Sequence, residues 1–260
     1  MPTYIWSGTL TFGLVTIPVQ LLPATRSRPT ALTMLHEKDT APLERRMVCP
    51  EDDEVVEREE QVRGFEVGDG EYVVVTDDEL EGLAPERSKA IEIEEFVELD
   101  DIDPLYFDRP YYLKPGEGGE RPYWLLVQAL RDAEKAGIAR FVLRDREHLV
   151  AVWVVEDVLC LTTLHHQRQR VSPEGLVPEK TRVSHDDLDD LVNHIEDSTR
   201  AFDPAAYDDE DEIRLMELVR EKAKDEGVEK GPGARRRNKV SEKRLLRKID
   251  RTLEKIEGEG

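Results

Sequence analysis

The segment IWSGTLTFGLVTIPV at residues 5–19 places Ile5, Trp6, Leu10, Phe12, Leu14, Val15, Ile17 and Val19 in partial alternation with small and hydroxyl-bearing residues. β-Branched and aromatic residues in that spacing predict an early strand pair, with Gly8 and Gly13 where a bend or bulge falls. Residues 25–29 read as a polar turn and 31–39 as a short core-facing segment. In GFEVGDGEYVVV, at 64–75, Gly68, Asp69 and Gly70 separate two β-prone runs and predict a hairpin. A short helix over 77–83, capped by Thr76 or Asp77, precedes an extended buried segment carrying Ile91, Ile93, Phe96, Val97 and Leu99. Tyr106, Phe107, Tyr111, Tyr112 and Leu113 then crowd aromatics into a further strand.

The pattern changes period after the glycine-rich turn at 116–122. Trp124, Leu125, Leu126, Ala129, Leu130 and Ala133 recur at helical spacing, and Gly137 is expected to end that helix. Two strands follow, IARFVL at 138–143 and HLVAVWVVEDVLCLTTL at 148–164, with Asp145, Arg146 and Glu147 as the turn between them. Ser184, three residues before Asp187, starts a helix carrying Leu188, Leu191, Val192 and Ile195. Ile213, Leu215, Met216, Leu218 and Val219 mark another helix, to about Asp225. Residues 227–240 read as a flexible hinge. Beyond it, Ser241 caps an amphipathic basic helix with Leu245, Leu246, Ile249, Leu253 and Ile256 on one face, suited to a partner surface, to flanking DNA or to its own core.

With 260 residues the chain can bury one good core, so one main domain with a tail is expected. Hydrophobic residues make up 38% and charged residues 37%, enough apolar content to exclude wholesale disorder. No apolar run approaches the roughly 20 residues of a membrane span, and no leader is legible, so a soluble cytoplasmic protein without membrane association is expected. Cys49 and Cys160 imply no disulfide framework, and Cys160 reads as a buried thiol in a strand.

The net charge of −21 argues at first against a DNA binder, since phosphates repel an acidic body. The charge is segregated, however. Acidic runs occupy 51–60, 186–190 and 208–212, whereas residues 231–260 hold ten Lys or Arg against five Asp or Glu, leaving about −26 on residues 1–230. So acidic a body, with more Arg than Lys, also fits a salt-adapted source, in which exposed phosphate contacts weaken and topological enclosure of a duplex would help.

Catalytic chemistry finds little support. His148, His165, His166, His185 and His194 lack ligand spacing, and Asp186–Asp190 lacks the ordered turn of a Ca²⁺ or Mg²⁺ loop and reads as an acidic helix start. Cys49 is followed by Pro50, Glu51, Asp52 and Asp53 rather than a second cysteine, so no zinc is expected there. No phosphate-cradling glycine motif or nucleophile elbow occurs. The expectation is a protein without enzymatic activity, cofactor or metal.

Five ordered blocks carry a family likeness: the opening run, PERSKAIEIEEFV at 85–97, IDPLYFDRPYYLKP at 102–115, AEKAGIARFVLRDREHLVAV at 133–152 and FDPAAY at 202–207. Over residues 1 to about 225 the chain resembles the prokaryotic Ku proteins, the DNA-end-binding partners of non-homologous end joining. The resemblance implies an α+β, mainly β fold: a Ku-type β-barrel core, an extended dimerising arm completing a DNA-encircling ring, and C-terminal helical segments. The implied organisation is a core over 1–226, the hinge at 227–240 and the basic tail at 241–260. It further implies a homodimer that binds double-stranded DNA ends without sequence preference in double-strand break repair, near the nucleoid, and recruits or stimulates an ATP-dependent DNA ligase. Such a ring needs cations facing phosphates and no base-edge code. Arg140, Arg144 and Arg146, then Arg168 and Arg170, meet that requirement first; Arg26, Arg28, Arg45 and Arg46 are weaker candidates, and Arg235, Arg236 and Arg237 form the tail cluster. Two other classes stay open: an interaction scaffold whose basic tail is the main DNA contact, and a metal-dependent nuclease built on the acidic clusters.

Overall fold

The computed structural model describes residues 3–26, 32–83, 89–207, 209–225, 247 and 249–252. They divide between two compact units, one drawn from residues 1–26 and 58–177, the other from 27–57 and 178–260.

Seven strands of the first unit close into a barrel. The strands are β1 (Trp6–Phe12), β2 (Val15–Pro23), β5 (Ala90–Glu98), β6 (Phe107–Pro115), β7 (Lys135–Leu143), β8 (Arg146–Val155) and β9 (Val158–Leu164), in the order β1-β2-β6-β9-β8-β7-β5. Neighbours are antiparallel except at the closure, where β1 runs parallel to β5 with Leu10 opposite Ile91. A closed barrel leaves no strand edge to pair with another chain.

Three tight turns set the hairpins. Gly13 turns β1 into β2 at φ +55°, while Arg144–Asp145 and Glu156–Asp157 both adopt positive φ, the conformation a two-residue hairpin turn requires. The second of these divides 148–164, expected as one strand, into β8 and β9: Glu156 and Asp157 interrupt a nearly continuous apolar run, and the backbone reversal at that pair separates the two strands. Gly8 is not a bend. A Cβ there would lie 2.1 Å from the Lys89 carbonyl, and the neighbouring Thr9 N–H donates to that same carbonyl at 2.8 Å, so glycine permits the close approach of β1 to the start of β5.

Inside, Leu10, Ile17, Leu21, Ile91, Leu113, Phe141, Val150, Val152, Leu159 and Leu161 are buried to 2% exposure or less. Each such side chain contributes roughly 1.5–3 kcal/mol relative to exposure. Trp6 meets Phe141 edge-on at 5.7 Å. Helix α2 (Glu120–Ala133) packs on β2, β7 and β8 with Tyr123, Leu126, Val127 and Leu130, leaving Trp124 and Leu125 outside. The helical face therefore sits about one residue round from the expected one. The buried Tyr123 hydroxyl donates to the Leu113 carbonyl at 2.7 Å and accepts from the Leu159 N–H at 2.8 Å, tying the ends of β6 and β9 together. Glu134, at φ +55°, ends the helix rather than Gly137, which lies within β7 with Ile93 about 3.0 Å from where its Cβ would be.

Outside the barrel, β3 (Arg63–Gly68) and β4 (Glu71–Val75) form the expected hairpin, and all but the half-buried Val75 are exposed. Helix α1 (Asp77–Leu83) is capped by Thr76: the Glu79 N–H donates to Thr76 Oγ1, and the Glu79 carboxylate accepts from the Thr76 N–H at 2.8 Å.

In the second unit, the segment expected to face a core is instead exposed, with Leu32, Met34 and Leu35 all in solvent; a Leu35–Pro42 bridge and hydrogen bonds among His36, Asp39, Thr40 and Ala41 turn it back on itself. Helix α3 (His185–Ser198) is capped by Ser184, whose hydroxyl accepts from the Asp187 N–H at 3.2 Å. Its Leu188, Leu191, Val192 and Ile195 are exposed. Helix α4 (Glu210–Asp225) buries Met216 and Ala223, and Arg220 Nε lies 2.9 Å from Asp250 Oδ1 of a helical turn at 249–252. The hinge, and Ser241, Leu245, Leu246, Leu253 and Ile256 of the tail helix, lie outside the described residues.

Candidate nucleic-acid interface

Antiparallel register decides which of the arginines meet. The end of β7, the start of β8, the end of β9 and the start of β6 share one end of the barrel, because Leu143 pairs with Arg146, Val150 with Thr163 and Leu164 with Phe107. Arg144 and Arg146 stand at the β7–β8 turn, and Arg168 and Arg170 follow β9 at this same end. Residues separated in sequence by more than twenty positions become one cationic rim.

The arginines are not equivalent. Arg144, Arg146 and Arg168 are exposed, with no carboxylate at ion-pair distance among the described residues. Arg140, on β7, lies 3.3 Å from Glu94 and 3.6 Å from Glu147. Arg170 lies 3.0 Å from Asp103, its guanidinium 5.7 Å from the Tyr106 ring centre. A phosphate would compete with those carboxylates for Arg140 and Arg170, whereas the other three offer full charge. Arg26, just after β2, lines a groove with Leu22, Tyr112 and Trp124. Arg45 and Arg46 are exposed in the second unit. Arg28, Arg235, Arg236 and Arg237 lie outside the described residues.

Two residues of the rim escape a reading by sequence, Arg109 and His148. Arg109 sits on β6, its N–H donating to Thr163 Oγ1 of β9 at 3.0 Å, and Thr163 Oγ1 donates to Asp108 at 3.1 Å. His148 on β8 packs on Phe141 at 6.1 Å. Burial holds its imidazole below the usual 6.5; Arg146 and Arg109 push the same way, while the Leu143 backbone and Asp108 oppose them. Its spacing from Arg109 along the chain gives no signal, since β9 alone brings the two strands together.

No group of three His, Cys, Asp or Glu side chains among the described residues is arranged to hold a metal ion. Cys49 is partly exposed in a small loop where the Glu54 N–H donates to Asp52 at 3.1 Å; that bond and one from the Cys49 thiol hold the Asp52 carboxyl below the usual carboxylate range. Cys160 is buried, its Sγ 3.7 Å from Thr162 Oγ1, and desolvation pushes its thiol up, which favours the protonated form over the thiolate. No helix among the described residues is long and apolar enough to cross a membrane.

The closed seven-stranded barrel defines a β-barrel protein. Residues 11–189 match the family model of the Ku70/Ku80 beta-barrel domain. Among curated proteins, the chain is 42% identical over 228 residues to the non-homologous end joining protein Ku 1 of Geotalea uraniireducens, covering 88% of this chain and 87% of that one. It is 37% identical to the non-homologous end joining protein Ku of Heliobacterium modesticaldum, over 88% of this chain and 83% of that one. With its Bacillus subtilis counterpart, identity is 35% over 84% and 71% of the two chains. The chain belongs to the Ku family.

Proposed function

We propose that the protein binds double-stranded DNA ends without reading sequence, as a homodimeric ring, in double-strand break repair by non-homologous end joining. Membership of the Ku family, with relatives named for that pathway, carries this reading. The unpaired Arg144, Arg146 and Arg168 supply phosphate contacts on an otherwise acidic body, and no base-reading element is needed. The exposed β3–β4 hairpin, with Phe65, Val67, Tyr72, Val73 and Val74 all more than half exposed, serves as the dimerising arm, since an isolated two-stranded hairpin needs a partner layer. Within this reading the core runs over 1–226, followed by a hinge at 227–240 and a basic tail at 241–260. The protein acts at the nucleoid, has no catalytic chemistry of its own and recruits an ATP-dependent DNA ligase to the bound end.

End selectivity follows from topology, because a closed ring threads only onto a free terminus. The test compares a linear duplex with the same duplex closed into a covalent circle, from low to molar potassium chloride. Preference for the linear form, with complexes trapped when the ends are ligated shut, supports the ring. Equal binding to both forms overturns it and leaves a scaffold in which residues 231–260 make the main DNA contact.

A further inference from the structure

We propose that a groove at the barrel end opposite the arginine rim docks a short acidic segment of a partner protein through a bulky apolar anchor. The groove encloses about 590 Å³ and is lined chiefly by Leu22, Pro23, Tyr112, Pro115, Trp124 and Val158. It lies where β2 and β6 meet the β8–β9 turn and α2, a strand length, about 20 Å for a seven-residue strand, from the rim. A segment seated there leaves the rim unobstructed.

Three observations point to this occupant. First, α2 has four well-packed apolar residues, yet it presents Trp124 at 48% and Leu125 at 64% exposure, beside Tyr112 at 40%. Two large aromatics in one concavity form the kind of pocket in which hot-spot anchors sit. Secondly, leucine, valine and prolines wall the groove around its two aromatics, which fits an inserted side chain better than the open aromatic face on which nucleic-acid bases stack. Thirdly, the charges at the groove are unbalanced. Lys114 lines it, and Arg121 lines the adjoining depression beyond Trp124 and Leu125, neither having a carboxylate at ion-pair distance among the described residues. Asp157 is neutralised by Arg131, which leaves Glu156 as the anionic group of the β8–β9 turn. On a chain of net charge −21, two free cations beside an apolar cleft complement an anionic ligand. The ligand's acidic residues lie toward Lys114 and Arg121, and its anchor enters between Tyr112 and Trp124.

The experiment uses the full-length protein and a fluorescein-labelled nonapeptide with a central Leu-Phe pair preceded by glutamates, followed by fluorescence anisotropy without DNA. We expect the peptide to bind, and to bind at least tenfold more weakly when its glutamates are lysines or its Leu-Phe pair is Gly-Gly. Trp124→Ala and Lys114→Glu are each expected to weaken it at least fivefold, with circular dichroism and DNA-end binding unchanged, while Arg144→Glu leaves it unaltered. Equal binding of glutamate and lysine peptides overturns the proposal, as does no binding, or displacement of the peptide by nine-nucleotide oligothymidine. Because DNA is absent, failure here leaves the end-binding reading standing, and failure of that reading leaves this measurement unaffected.

Discussion

Strands β6 and β9 and the hairpin β3–β4 are written in the same alphabet of valine, leucine, tyrosine and phenylalanine, yet their fates differ. Leu113, Leu159 and Leu161 are wholly buried in the barrel, whereas Phe65 is 69% and Tyr72 60% exposed in the hairpin. Local pattern makes a strand in both places. Burial depends on a second layer, which the barrel supplies to itself by closing and which the hairpin lacks among the described residues. The barrel is thus a stability device, and the hairpin, on the proposed reading, an assembly device.

The largest break in that contrast comes from emptying the barrel. Phe141→Ala is expected to cost about 3–5 kcal/mol in urea denaturation, while Val73→Ala in the hairpin stays within about 0.5 kcal/mol, because only the first leaves a cavity. Next comes Tyr123→Phe, which leaves the buried Leu113 carbonyl and Leu159 N–H without the hydroxyl between them. A loss of about 1–3 kcal/mol in the same assay is expected. The hairpin answers a different measurement. Phe65→Ser with Val73→Ser, opposite one another in the register, should raise the dissociation constant of the proposed dimer at least tenfold in sedimentation equilibrium while the melting temperature of the dilute protein holds.

The rim offers a smaller and sharper contrast. Arg144→Gln with Arg146→Gln should reduce the salt dependence of DNA-end binding by about two phosphate contacts, a slope change near 1.8. Arg140→Gln, already engaged by Glu94 and Glu147, should change it by less than half a contact. The smallest effect concerns pH. Because His148 is held below its usual 6.5, its neutral form is the one the fold favours, and the stability it lends is present above 6.5 and lost as pH falls through its lowered value. Melting temperatures of the protein and of His148→Gln should therefore differ more at pH 7.5 than at pH 5.0.

Much of this molecule was determined by sequence alone. Partial alternation at 5–19, two β-prone runs about a glycine turn at 64–75 and crowded aromatics at 106–113 pointed to strands, helical spacing at 124–133 to α2, and the order of the blocks to the Ku family, because each signal is local or collinear. Residues 148–164 were legible as β structure but not as two strands, since Glu156 and Asp157 interrupt an otherwise apolar run without the glycine or asparagine that marks most two-residue turns. The face of α2 was likewise beyond local pattern: Trp124 and Leu125 are as apolar as Leu126 and Val127, and only the position of the barrel chose between them. The candidate site was legible as a set of arginines and no further. Tertiary structure decided that Arg144, Arg146 and Arg168 share one barrel end with Arg109 and His148, that Arg26 lines a groove with Tyr112 and Trp124, and that carboxylates engage Arg140 and Arg170. Register between non-consecutive strands fixes those distances, and register is settled by burial of a whole sheet face rather than by any one residue.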